Sequence, residues 1–120
     1  MTLLRIPGAV DPHVHLRDLD WSHKATVEQE TAAAIAGGYW AVLDMPNTPP
    51  NTVTAERLRS KSEHVAARSR CDFGLYMGAD QAADGSEYAT GAAEALGLKM
   101  YCDHTTGSLL RPDDEARRRH

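Results

Sequence analysis

Long apolar runs, a positive charge surplus and paired cysteines are all missing from this sequence, and each absence removes a class of function. No stretch approaches the roughly 20 consecutive apolar residues that a membrane-spanning helix needs. Lys and Arg total 13 against 17 Asp and Glu, so the formal net charge is -4 and nothing recommends nucleic acid as a partner. Cys71 and Cys102 are the only cysteines and form no metal-type pair, so reduced thiols in a cytoplasmic protein are the expectation. Met1–Ile6 is too short for a signal peptide and carries no cleavage pattern. No repeat, low-complexity linker, GxGxxG or Walker pattern occurs. The remaining composition is ordinary for a soluble globular protein, and 120 residues is a usual length for one domain.

What is present is alternation of strand and helix signals. A strand is expected near Ala9 to His15, where β-branched residues follow a Pro-Gly turn. Ser22 is placed to cap a helix from about Lys24 to Ala36, with Val27, Thr31, Ala34 and Ile35 as its apolar stripe. Gly37-Gly38 stops that helix as a C-cap rather than forming a phosphate loop. Tyr39 to Asp44 reads as a second buried strand, and the prolines of Met45-Pro46-Asn47-Thr48-Pro49-Pro50 force a loop after it. Thr52 or Thr54 caps a helix to about Arg68, with Leu58, Val65 and Ala66 inward. Cys71 to Met77 is a third strand, Gly85 to Ala95 a helix, and Leu98 to Tyr101 a fourth strand, followed by a polar loop over residues 103–108. This order, β-α-β-α-β-α-β, predicts parallel strands with helical crossovers, an α/β fold.

The segment Asp11-Pro12-His13-Val14-His15-Leu16-Arg17-Asp18 is the densest in chemistry. Side chains alternate along a strand, so His13 and His15 share one face, with Val14 opposite. Two imidazoles so placed can hold one metal ion, or they are simply half-buried and hydrogen-bonded. Arg17 lies just beyond, where a bidentate fork can grip a carboxylate, unless it is an ordinary surface arginine. Asn47, after the second strand, is either part of the same site or a turn residue held by its own side chain. Lys99 stands in the apolar run Leu98-Lys99-Met100-Tyr101; its amine either snorkels to the surface or is buried with a depressed pKa and reacts with CO2 to form a carbamate. Loops beyond the carboxyl ends of parallel strands gather on one face, so these residues can converge. His23, His64, His104 and His120 offer no convincing further ligand: His64 is expected to be exposed on the second helix, and His120 is terminal.

These motifs, with Pro7-Gly8, His23-Lys24, the run Thr31 to Gly38, Asp44-Met45-Pro46-Asn47-Thr48-Pro49-Pro50, Arg70-Cys71-Asp72-Phe73 and Gly97-Leu98-Lys99-Met100-Tyr101, make the chain resemble the N-terminal part of dihydroorotases of the cyclic amidohydrolase family. The resemblance covers most of the chain, in the family's order and with nearly its spacing. It implies a (β/α)8 TIM barrel of the metal-dependent amidohydrolase type, of which residues 1–120 would be about the first four β/α units. It implies one or two zinc ions, with His13 and His15 as ligands and carboxylated Lys99 as the bridge. It implies reversible interconversion of dihydroorotate and N-carbamoyl-L-aspartate, with Arg17, Asn47 and, more weakly, Thr105 binding substrate. One departure is visible. Where many members have Arg-Glu-Pro-Gly, this chain has Arg17-Asp18-Leu19-Asp20, so the acid is one methylene shorter and the turn is rebuilt.

A complete barrel of this kind takes about 250 residues. The family's other metal histidines and its acid–base aspartate would lie beyond His120, so the implied catalytic residues are absent from this chain. Pro112-Asp113-Asp114-Glu115 reads as a helix start, and Arg117-Arg118-Arg119-His120 as a solvated face of a helix cut short. The expectation is therefore an apparently truncated domain that is inactive alone. The competing readings are an enzyme acting on another ring amide (hydantoinase, dihydropyrimidinase or allantoinase) and a non-catalytic half-barrel module. Homo-oligomers, or association with another pyrimidine-pathway enzyme, are the partners the resemblance suggests. Arg17 and Asn47 favour a carboxylate-bearing ring over the other ring amides.

Overall fold

The computed structural model describes residues 3–80, 85–102 and 109. Its elements are β1 (Ala9–Val14), α1 (Val27–Ala36), β2 (Tyr39–Asp44), α2 (Ala55–Ala66), β3 (Asp72–Leu75), β4 (Met77–Gly78), α3 (Gly85–Gly91) and β5 (Leu98–Lys99). The expected alternation is observed. Strands β1, β2 and β3 form a parallel sheet in sequence order, and β4 pairs β5 in parallel. Parallel neighbours in chain order require helical crossovers, which α1 and α2 supply.

The expected third strand, Cys71 to Met77, is split in two, and the split has a simple cause. Tyr76 N still donates to Asp44 O of β2 at 3.1 Å, while Met77 N donates to Gly97 O at 3.0 Å. The strand changes partner at that residue, so the two small sheets are successive parts of one parallel progression.

Helix boundaries differ from expectation where side chains compete for the backbone. α1 is capped by Thr26, whose Oγ1 accepts from Gln29 N, and not by Ser22. Residues 22–25 are occupied in a turn: Ser22 N donates to Leu19 O, Lys24 N to Trp21 O, and Ala25 O accepts from Asp18 N. α2 starts at its Thr54 cap, the second of the two threonines expected. α3 stops at Gly91, earlier than the expected Ala95. A Cβ at Gly91 would meet the Met77 sulfur, so the end of the helix packs directly on the Met77 side chain of β4. After α1, Gly38 takes φ +90°, the left-handed conformation of a glycine stop.

The core is built from Leu16, Val27, Val42, Leu58, Val65, Leu75 and Met77. β2, expected to be buried throughout, is exposed at its start, Tyr39 and Trp40, where the amino end of the sheet is uncovered, and two expected helix core residues are exposed as well. Ile35 faces an open depression beside Tyr39 and Trp40, and Ala66 lies on the outer face of α2. The inward stripe of α2 is Leu58, Lys61 and Val65, which places a lysine in a helical core position. Among the described residues no helix is long and apolar enough to cross a membrane.

Candidate active site at the carboxyl ends of the strands

β1 ends at Val14, and His15 follows it at the edge of the sheet. The His13 and His15 rings lie side by side, with centroids 5.5 Å apart, as the i, i+2 spacing predicts. The loop after β2 brings Asn47 to the same place: its Oδ1 is 2.9 Å from His15 Nδ1. Asn47 is buried, so its carboxamide is fixed rather than sampling solvent. An amide oxygen can only accept, so this contact puts the imidazole proton on Nδ1. The Nε2 lone pair is then left free, the tautomer a metal ligand needs. Burial, then the positive charge of Arg17, holds His15 below its ordinary pKa, against the Asn47 hydrogen bond and the Asp44 charge. Both effects favour the neutral imidazole. On the chemistry of these donors, His13 and His15 fit a divalent metal.

Asp44, the last residue of β2, organises the surroundings. It is fully buried; its Oδ1 accepts from Leu16 N at 2.8 Å, and its Oδ2 lies 2.6 Å from Lys61 Nζ. Lys61 also donates to the Met45 carbonyl at 3.1 Å. One carboxylate thus ties the residue after His15 to β2 and to α2. Its charge also reaches Tyr101, whose phenol is pushed up to about 12 by burial and then by Asp44. Lys99 Nζ lies 5.3 Å from the Tyr101 ring. Lys99 is half-buried and paired with Gly78 at the carboxyl end of β5, as the histidines stand at the carboxyl end of β1. Among the described residues no group of three or more His, Cys, Asp or Glu converges to hold a metal. Thr105 and His104 lie outside the described residues.

The loop carrying Arg17 is strained. Arg17, Asp18 and Leu19 have φ of 60°, 58° and 48°, three consecutive left-handed residues without a glycine. Each such residue costs on the order of 1–3 kcal/mol and persists only where its surroundings hold it. Here Asp18 does the holding: its Oδ1 accepts from Leu19 N and its Oδ2 from Val27 N, the first residue of α1. His64, expected to be exposed, is half-buried with its Nε2 3.3 Å from Asp18 Oδ2, because the loop folds back onto α2. Burial raises the Asp18 pKa, but the hydrogen bonds from Val27, His64 and Leu19 outweigh it and leave it below the ordinary value. A depressed carboxyl stabilises the fold above its unfolded pKa and loses that contribution as pH falls through its folded pKa. Asp18→Asn is therefore expected to flatten the loss of stability below about pH 4. Denaturation midpoints measured from pH 7 to 3 check this, and an unchanged acid slope would refute it.

Asp18, Trp21, Asp44, Lys61 and His64 gained no functional reading from the sequence, since none stands in a metal-type spacing. The one available signal was Lys61, a charge in the apolar helical register. An open depression of about 620 Å³ is lined by Ile35, Gly38, Tyr39, Trp40, Ser69, Arg70, Cys71 and Asp72. It lies where β2 and β3 begin, at the opposite end from the histidines.

Comparison with known proteins bears on the family and the fold. Residues 2–103 match the family model described as Dihydro-orotase-like. The chain is 37% identical to multifunctional protein pyr1-3 of Dictyostelium discoideum over 93% of its own length and 5% of that protein's. It is 39% identical to multifunctional protein CAD of Squalus acanthias, covering 89% of this chain and 5% of the relative. A dihydroorotase of Methanosphaera stadtmanae is 45% identical over 61% of this chain and 17% of the relative. The chain thus spans only a minor part of these relatives. Among solved structures, an L-hydantoinase (dihydropyrimidinase) from Arthrobacter aurescens superposes with a TM-score of 0.77 at 29% identity, over 88% of this chain and 24% of that one. A family match over most of the chain, on strands that run parallel in chain order, leaves one conclusion: the chain belongs to the dihydroorotase-like family, and its fold is part of an amidohydrolase-type TIM barrel.

Proposed function

We propose that the polypeptide carrying this chain is a zinc-dependent hydrolase that reversibly interconverts dihydroorotate and N-carbamoyl-L-aspartate. The observation that carries this reading is the contact between His15 Nδ1 and Asn47 Oδ1, which leaves Nε2 beside His13 ready to bind a metal. One or two zinc ions would be held by His13 and His15, with Lys99 as a bridging ligand once its neutral amine has added to CO2 and lost a proton. When bound, the metal supplies Lewis acidity at the ring amide carbonyl and lowers the pKa of a water. The Arg17 guanidinium grips the substrate carboxylate, and the Asn47 amide N–H groups, left free by the use of its oxygen, add a second hold. Thr105 is a further substrate contact in this proposal.

No residue of the 120 is assigned as general acid or base, a role commonly worth about 10²–10⁴ in rate. Residues 1–120 alone are therefore proposed to be inactive. Neither Cys71 nor Cys102 is in a disulfide, which supports a reducing, cytoplasmic compartment. The two multifunctional relatives support association with another pyrimidine-pathway enzyme.

The test uses the longest natural polypeptide that carries this chain, assayed in both directions with zinc. Dihydroorotate turnover should disappear on chelation and return with metal, and intact-protein digestion should find one added CO2 on Lys99. Turnover that survives chelation, or turnover of hydantoin but not of dihydroorotate, would overturn the proposal.

A further inference from the structure

Arg17 and Lys24 both lean on one indole. The Arg17 guanidinium carbon is 5.4 Å from the Trp21 ring centroid, and Lys24 Nζ is 4.0 Å from it. Among the described residues neither cation lies within ion-pair distance of a carboxylate. Trp21 itself is locked in place: it forms an antiparallel bridge with Asp18, its N–H donates to Asp18 O at 2.8 Å, and its carbonyl accepts from Lys24 N at 2.8 Å. These are main-chain contacts, so the indole springs from a backbone fixed to the residue that holds the left-handed turn. Arg17 stands two residues beyond His15, near enough for its charge to act on that imidazole. A flexible arginine must lose side-chain freedom to bind a carboxylate, and stacking on a fixed aromatic face removes part of that loss beforehand. An aromatic face attracts the guanidinium without neutralising it, so the positive charge stays available to a ligand.

We propose that Trp21 is a positioning residue that sets the reach of Arg17 and so the preference for a carboxylate-bearing ring. This rests on the reading of Arg17 as the carboxylate grip. The experiment compares Arg17→Ala, Trp21→Ala and Trp21→Phe in the longest natural polypeptide carrying this chain, loaded with zinc and assayed on dihydroorotate. Trp21→Ala should raise KM by about two- to thirtyfold, the span into which cation–π energies convert, with kcat nearly unchanged, and Trp21→Phe should recover part of it. If Arg17→Ala raises KM and Trp21→Ala does not, the positioning role is wrong while the Arg17 reading stands. If Arg17→Ala leaves KM unchanged, the carboxylate reading fails first and the positioning role falls with it. An equal fall in kcat and thermal midpoint for both Trp21 variants would mean a merely structural residue, and would also overturn the proposal. The stacking itself is read without turnover. Arg17→Ala should shift the tryptophan emission when Trp21 is present and leave it unchanged in a Trp21→Phe background, and the same spectrum with and without Arg17 in the presence of Trp21 would refute the contact.

Discussion

His15→Ala should release the metal and cost more than Asn47→Ala, which should lower metal affinity by about 10–100-fold, the usual loss when the partner of a ligating histidine is removed. The order follows from the chemistry of the pair. His15 supplies the lone pair, whereas Asn47 only fixes the tautomer that points that lone pair at the site. Asn47→Asp separates this role from the substrate hold: a carboxylate keeps an acceptor for Nδ1–H but presents no N–H to an anionic substrate. It should retain metal and raise KM. Metal content and affinity, measured by competition with a chromophoric chelator, decide the matter. Equal metal affinity in wild type and Asn47→Ala would show that the hydrogen bond does not govern ligation. Full occupancy in His15→Ala would remove His15 from the metal site altogether.

The second large effect concerns the buried pair of Lys61 and Asp44, with side chains 5% and 0% exposed. Desolvating both charges is costly, and their attraction repays it only while both are present. Lys61→Met should destabilise the fold by about 3–5 kcal/mol, because it strands a buried carboxylate. The double variant Lys61→Met with Asp44→Asn should recover most of that loss. Asparagine keeps the Oδ1 acceptor that Leu16 N requires, and methionine fills the lysine stem's volume along the core stripe of α2. Urea denaturation of the three variants measures this. A cost below about 1 kcal/mol for Lys61→Met would place the pair among solvated ion pairs. Because Leu16 directly follows His15, Asp44→Ala is further expected to disturb metal binding as well as stability.

Much of the architecture could be read from local signals. Period-two apolar runs, threonine caps and the glycine stop act within a few residues, so β1, β2, α2 and the strand–helix order follow from the chain itself. The same locality made His13 and His15 legible, since two residues apart on a strand means one face. Ser22 failed as a cap because Asp18, four residues earlier, takes the backbone that would have continued the helix.

What only the tertiary structure decided were partnerships across long separations. Asn47 reads as a turn residue until the loop after β2 is set against β1, where it becomes the partner of His15. Lys61 shows in the sequence only as a charge in the apolar register of α2, and its partner appears when α2 packs on the sheet and buries it on Asp44. The turn at Arg17 to Leu19 has no glycine to announce it, because its left-handed backbone is held by Asp18, whose N–H donates to Ala25 O and whose carboxylate accepts from Val27 N and lies against His64, rather than by intrinsic preference. The sequence by itself therefore determined which residues are candidates for metal and anion binding and on which strand ends they stand. The packing of loops on strands decided their protonation, their support and their aim. Propensity acts over a few residues, whereas a buried charge or a strained turn is stable only when distant parts of the chain complete it.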